Sequence, residues 1–292
     1  MPKIKTILKN SKLERIDTEI LLSYLLKKDR TFLILNIDKN ISEKLYKKYL
    51  FLEKKRLDNW PIAYLVGFKH FYNYKFLVNK NVLVPRPETE ILIDISLNNL
   101  LNRDKKQTII DIGTGSGAII ITLAKELIKK NKTLYNKTNF IALDISNKAL
   151  KIAKLNSKLN RINKKISFYK SDLLSYLIDN KENYLNNNND LFILANLPYL
   201  KPKELKEKSI KHEPKLALEA GIDGLKYYRK LFKQINLIID KNSNQKIDIF
   251  CEINPEQKKP ITNLNKRYLK DFKTVFYKDL SNNTRFSQTK NY

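Results

Sequence analysis

One cysteine, one methionine, one tryptophan, two histidines and six glycines are all that the 292 residues hold of these types. Cys251 has no partner, so a disulfide framework within the chain is excluded. A Cys/His zinc cluster needs about four ligands, and Cys251, His70 and His212 cannot supply them; no metal is expected. No run approaches the roughly 18 apolar residues that cross a bilayer. The Lys-containing first ten residues lack the apolar segment of a signal peptide. These absences predict a soluble, cytoplasmic protein in a reducing compartment. The length suggests two domains with an ample core.

Acidic residues are scarce as well. Lys and Arg number 57 against 30 Asp and Glu, a net charge of +27. Such an excess points to a polyanion partner, because Lys and Arg neutralise phosphates. The excess is mostly Lys, in a chain also rich in Asn, Ile and Tyr, which equally fits an AT-rich genome loading solvated faces with Lys. The charge alone decides nothing, and nucleic-acid contact stays open without being required.

Residues 1–75 read as a helical domain. Asp17, Thr18 and Glu19 form a helix start before Ile20, Leu21, Tyr24 and Leu25 at helical spacing. Ser42 can cap a second helix carrying Leu45, Tyr49, Leu50 and Leu52. Neither stripe can be buried alone, so the helices must pack on each other. Residues 76–94 read as a connector. Around it, Phe71, Tyr72, Tyr74, Phe76 and Val78, then Val82, Leu83 and Val84 beyond the Asn79 to Asn81 break, predict a β-hairpin. Pro85-Arg86-Pro87-Glu88-Thr89-Glu90 cannot start as helix, since each Pro restricts the residue before it.

Over 95–292 strands alternate with helices. Strands are expected at 108–112, 140–144, 166–169, 191–195, 247–253 and 272–277, with helices at 118–128 and 147–159. The alternation predicts an α/β fold, a mostly parallel sheet with helices on both faces. Ligands bind such sheets beyond the carboxyl ends of the strands.

Asp111-Ile112-Gly113-Thr114-Gly115-Ser116-Gly117 ends the first strand and opens a helix. Glycines allow a tight turn and close approach, and the helix N-terminus offers free N–H groups. The G-x-G-x-G spacing differs from the dinucleotide G-x-G-x-x-G, which favours a nucleoside-bearing cofactor without a pyrophosphate. Asp144, ending the second strand, is placed to accept both hydroxyls of a ribose. Asp172, after the third, could accept from an adenine amino group. This set resembles the class I methyltransferases that use S-adenosylmethionine. The resemblance assigns the methionine moiety to Gly113–Gly117, with Asp111 at the base of that motif, the ribose to Asp144, and the adenine to Asp172 and the neighbouring Leu173.

The fourth strand ends in Asn196-Leu197-Pro198-Tyr199, similar to the N/D-P-P-Y/F/W motif of amino methyltransferases. A carboxamide or exocyclic amino nitrogen is a poor nucleophile until its N–H groups are held. The Asn196 side-chain oxygen can accept one, and the Leu197 carbonyl the other. Tyr199 can pack on the flat acceptor, and Pro198 holds the turn. Asn196, Pro198 and Tyr199 are thus the candidate catalytic residues. Asn196 to Tyr199 would bind substrate, and Asn196 would also border the cofactor.

Pro85-Arg86-Pro87-Glu88-Thr89-Glu90, the glycine motif, Asn196-Leu197-Pro198-Tyr199, Glu213-Pro214 with Ala217-Leu218, Gly221-Ile222-Asp223-Gly224-Leu225, and Glu252-Ile253 with Gln257 occur in that order. With the helical N-terminal domain, they resemble the HemK/PrmC family. That resemblance implies a Rossmann-like seven-stranded sheet joined through a hairpin to a small all-helical domain that docks substrate. It also implies methylation, from S-adenosylmethionine, of the N5 nitrogen of the glutamine in the Gly-Gly-Gln loop of class I peptide chain release factors. A monomer is expected. Leu197 departs from the family's first Pro, and Ala220 and Asn254 stand where Gly is frequent. Asn-Leu-Pro-Tyr also occurs in rRNA adenine dimethyltransferases, so N6-adenine methylation of rRNA or DNA is an alternative, with a non-catalytic RNA- or ribosome-binding module as a third.

For the remaining candidates, Glu88 and Thr89 could line the pocket mouth, since the joint must pass near the strand ends, with helix capping the expected role of Thr89 and a solvated loop position that of His212. His70 and Cys251 are expected to be structural, Arg285 solvated, and Tyr227 and Tyr228 core and rim.

Overall fold

The computed structural model describes residues 1–180, 189–239 and 245–292. They form two compact units, Met1–Phe68 with Lys206–Glu213, and Lys69–Leu205 with Pro214–Tyr292.

The first unit packs helices Ile4–Asn10, Arg15–Leu26, Arg30–Leu35, Glu43–Leu57 and Ile62–Val66 around Ile4, Ile7, Leu21, Leu22, Leu33, Tyr49 and Val66. Ser42 caps its helix as expected, accepting from Leu45 N. Thr18 does not start a helix. The helix begins at Arg15, and Thr18 is buried with its hydroxyl on Ser11 Oγ at 2.8 Å. Tyr24 and Leu50, assigned to the apolar stripes, are exposed. His212 is not a solvated loop residue either. It stacks on Trp60 at 4.4 Å and sits 2.8 Å from the Asp58 carbonyl, beside the Lys211–Asp58 ion pair.

The second unit holds a hairpin, β1 (Phe68–Phe71) and β2 (Tyr74–Leu77), and a seven-stranded sheet. The hairpin turns at Tyr72-Asn73, not at Asn79 to Asn81. Two-residue hairpin turns need positive φ, and Tyr72 supplies it at 54°. Asn79 to Asn81 instead close a local turn, with Asn81 N on Asn79 Oδ1 at 2.9 Å.

The sheet comprises β3 (Gln107–Ile112), β4 (Asn139–Asp144), β5 (Ile166–Lys170), β6 (Asp190–Ala195), β7 (Ile247–Glu252), β8 (Lys273–Lys278) and β9 (Thr284–Lys290), in the order β5-β4-β3-β6-β7-β9-β8. β3 to β7 run parallel, and β9 is antiparallel to both neighbours. Alternate residues feed opposite faces, as the strand period requires. Ile110, Ile112, Ile141, Leu191, Ile193 and Ile249 enter one cluster, and Ile109, Phe140, Ala142, Phe192, Leu194 and Phe250 the other. Helix Asn147–Leu159 matches its expected bounds, and the helix expected to end at 128 continues to Lys130. Asn156 of the former ties the hairpin to the glycine motif. Its amide reaches Leu77 O at 3.0 Å and Ser116 O at 2.8 Å, and its oxygen accepts from Leu77 N. At the amino ends of β6 and β7, Arg103 is buried between Asp190 and Asp248.

Candidate functional site

Strand register sets the site. Ile112 pairs with both Leu143 and Ala195, and Ala195 with Cys251. One residue further on, Asp144, Gly113, Asn196 and Glu252 therefore stand in a row across the carboxyl ends of β4, β3, β6 and β7. A cavity of about 270 Å³ opens there. Gly113, Thr114, Gly115, Ser116, Asp144, Asp172, Leu173, Asn196, Leu197 and Pro198 line it. Sequence reasoning thus placed ten candidate residues around one space.

The glycine motif wraps Asp144. Gly115 N donates to Asp144 Oδ2 at 2.9 Å and Ser146 N to Oδ1 at 2.8 Å. Burial raises the Asp144 carboxyl above the ordinary aspartate range, and these two N–H bonds oppose the rise. Asp111 and Gly117 lie outside the cavity lining. Asp111 is buried behind the motif, accepting from the Thr114 hydroxyl at 2.6 Å, and burial pushes its carboxyl up to about 7. Gly117 starts helix Ala118–Lys130 at φ 80°, where a β-carbon would stand 2.9 Å from Ile121 Cδ1. Its task is close packing. The Asp172 carboxylate is paired with Lys230, while its neighbour Leu173 turns at φ 55° to put its buried side chain at the cavity.

Asn196 is gripped from behind. Its Nδ2 donates to Glu252 Oε2 at 2.9 Å and to Thr89 Oγ1 at 3.1 Å, and the Thr89 hydroxyl donates to the same Glu252 oxygen at 2.6 Å. Thr89 caps nothing with its side chain. Glu252 is 2% exposed, and burial pushes its carboxyl up to about 7. The Asn196 Oδ1 has no partner among the described residues. Leu197 is buried against the position a Gly113 side chain would take, 3.5 Å away. Tyr199 is half-buried outside the lining, packed on the sheet core, with burial pushing its hydroxyl up to about 12.

The later motifs brace this turn. Leu200 N donates to Leu218 O and Ala220 N to Leu200 O, both at 2.9 Å. Gln257 donates to Gly224 O at 2.8 Å, its side-chain oxygen accepts from Asn254 N in a capping box, and Asn254 Oδ1 accepts from Glu256 N at 3.1 Å, work that Gly could not do. Tyr228 is buried with its hydroxyl on Glu252 O, and Tyr227 lines the cavity. Arg285 is not simply solvated: it pairs with Asp279 at 3.5 Å and holds the Glu252 carboxyl lower than burial alone would.

Comparison with known proteins fits this layout. A family model described as the PrmC N-terminal domain matches residues 3–67, and one described as a methyltransferase domain matches 103–239. A release factor glutamine methyltransferase of Dictyoglomus turgidum is 35% identical over 270 residues, covering 91% of this chain and 86% of that protein. One of Bacillus cereus is 36% identical over 230 residues, covering 77% and 76%. The chain belongs to the release factor glutamine methyltransferase family. The hMettl16 catalytic domain in complex with a MAT2A 3'UTR hairpin shares the fold, with a TM-score of 0.51 at 14% identity over 87% of this chain and 84% of that one. The family and the fold together make this a class I methyltransferase whose methyl donor is S-adenosylmethionine.

Glu252 carried no role in the sequence reading, where it was visible only as an acid ending an apolar strand, whereas Thr89, read as a helix cap or a residue of the pocket mouth, lines the cavity and bonds Glu252. Leu83, Val84 and Leu216, which also line it, are apolar residues without a chemical signature.

Proposed function

We propose that this enzyme transfers the methyl group of S-adenosylmethionine to the side-chain N5 of the glutamine in the Gly-Gly-Gln loop of class I peptide chain release factors. The observation that carries it is Asn196. A carboxamide whose two N–H groups are already bound has its oxygen left to accept, which is what a substrate amide needs. That oxygen takes one N–H of the incoming glutamine, and the Leu197 carbonyl takes the other. Pro198 limits the turn, and Tyr199 steadies it from the core side.

The residues present fit the cofactor. The Asp144 oxygens each accept one backbone N–H and keep lone pairs for the ribose hydroxyls. Backbone at Gly113 to Ser116 faces the methionine end, and Asp172 and Leu173 the adenine. When bound, the cofactor supplies a methyl carbon made electrophilic by its sulfonium. The chain's own task is alignment, for which roughly 7–11 kcal/mol is available in principle. Among the described residues no helix is long and apolar enough to cross a membrane. Action in the cytoplasm, on a protein substrate and as a monomer, is part of the same proposal.

The adenine alternative rests on the spelling of one tetrapeptide and on charge, and the relatives matching most of the chain do not favour it. The test is incubation with labelled cofactor and a purified release factor, beside the same factor with its loop Gln changed to Ala. Label is expected only on the unchanged factor. Label retained on the Ala variant, or appearing on deproteinised rRNA instead, would reject the assignment.

A further inference from the structure

We propose that Thr89 and Glu252 are positioning residues that lock the Asn196 carboxamide in one of its two orientations, oxygen toward the acceptor amide. The proposal rests on the reading of Asn196 given above. It also assigns a task to the Pro85-Arg86-Pro87-Glu88-Thr89-Glu90 segment.

An Asn side chain turned half over has nearly the same shape, so packing alone does not choose between its oxygen and its nitrogen. Hydrogen-bond polarity does. Thr89 spends its one proton on Glu252 Oε2 at 2.6 Å, so it offers Asn196 only lone pairs. Ionised Glu252 offers only lone pairs as well. Both acceptors converge on Nδ2, at 3.1 and 2.9 Å. Turning the amide over would set Oδ1 against two oxygens with no proton between them, in a site where Thr89 is 3% and Glu252 2% exposed. The lock holds while Glu252 is ionised. Protonated Glu252 could donate to Oδ1 and hold the unproductive orientation. The charged and titratable groups facing Glu252 are Arg285 and Arg86, which favour its ionised form, Glu88, which opposes it, and the buried Tyr199 hydroxyl. The buried Tyr228 hydroxyl, bonded to the Glu252 backbone carbonyl, faces the carboxylate as well and is raised by it.

The test compares T89V, T89S and E252Q with the unaltered enzyme on a release factor. T89V keeps the shape without the hydroxyl, and E252Q supplies a donor that can hold either orientation. Both are expected to lower kcat about 10- to 100-fold, the scale on which small misplacements act. Cofactor affinity by calorimetry should change less than about twofold, and T89S should restore most of the rate. The fall in kcat on acidification should be absent in E252Q. Wild-type kcat in T89V and E252Q, or an unaltered acid limb in E252Q, would overturn the proposal. A second readout does not depend on the substrate. In Asn-labelled protein the Asn196 side-chain amide protons should exchange slowly with solvent, and rapidly in T89V. Equal exchange in the two would overturn the lock even if the true acceptor were not glutamine. Slow exchange lost in T89V, with no methylation of any release factor, would support the lock and reject only the substrate.

Discussion

A β-carbon on Gly224 would stand 2.6 Å from the carbonyl oxygen of Tyr199 and 3.2 Å from the Gln257 amide nitrogen. The Gly221 to Leu225 motif therefore lies pressed against the turn that carries Asn196, and no side chain fits between them.

G224A should accordingly distort the Asn196 turn. Its φ of 74° adds backbone strain to the clash. A stability loss of about 2–4 kcal/mol is expected, where strain alone costs about 1 kcal/mol or a little more. G67A is the matched comparison, with φ 82° and nothing within 4 Å of the new carbon. Denaturant unfolding should show the larger loss in G224A, and only G224A should lower kcat. Equal losses would mean that the contact with Tyr199 yields without cost.

This contact also shows what the sequence could and could not tell. Gly113, Asp144 and Asn196 were legible because each ends an apolar strand, and the parallel register lines up strand ends without any knowledge of side chains. The last strand, Thr284–Lys290, was not, because its buried residues are Ser287, Gln288 and Thr289 beside Phe286. Gln288 is polar because it donates to the buried Asp248 at 2.8 Å and to Asn99 at 3.1 Å, and hydrophobic periodicity cannot report such a strand. Thr89 failed for a different reason. Its partner Glu252 is 163 residues away, so the local reading as a helix cap was the natural one. The hairpin was misplaced because Asn79 to Asn81 has turn composition, while the actual turn uses Tyr72 at positive φ, where Tyr is uncommon.

Asp111 predicts a dependence of stability on pH. Its carboxyl stays protonated up to about 7 in the folded chain against 3.8 ordinarily, chiefly because it is buried. Between those values the folded state holds a proton that the unfolded state has released. Stability from this group is therefore present at low pH and lost as pH rises through about 7. D111N removes the titration and keeps the shape. Its stability relative to wild type should rise by about 2–4 kcal/mol from pH 4 to pH 8 in denaturant unfolding. A pH-independent difference would show that Asp111 is ionised throughout.

Asp144 should matter for affinity more than for turnover. D144N keeps one of the two oxygens that now accept from Gly115 and Ser146, and removes the charge that the proposed reading offers to the ribose hydroxyls. A charged hydrogen bond contributes about 1.5–3 kcal/mol, so cofactor affinity should fall about 10- to 150-fold. Calorimetry checks the affinity. The kcat at saturating cofactor should stay within about threefold, since on the proposed reading Asp144 meets the ribose and not the transferred methyl. A large loss of kcat with unchanged affinity would place the ribose elsewhere.

The buried charges at the far end of the sheet should behave in the opposite way. Arg103 pairs with Asp190 at 3.3 Å and with Asp248, both carboxylates being nearly or wholly buried at the amino ends of β6 and β7. Gln288 and the Tyr292 hydroxyl complete the Asp248 shell at 2.8 Å each. R103M would strand two carboxylates without a cation, a situation that costs about 3–5 kcal/mol. The Tm should fall markedly while cofactor affinity below the transition stays as in wild type, because the cavity lies at the carboxyl ends of the same strands. Since whole buried ion pairs can be replaced by apolar groups at little cost, R103M/D248L with D190N should recover most of the lost stability. If the triple variant is no more stable than R103M alone, the loss comes from missing packing around the guanidinium and not from unpaired charge.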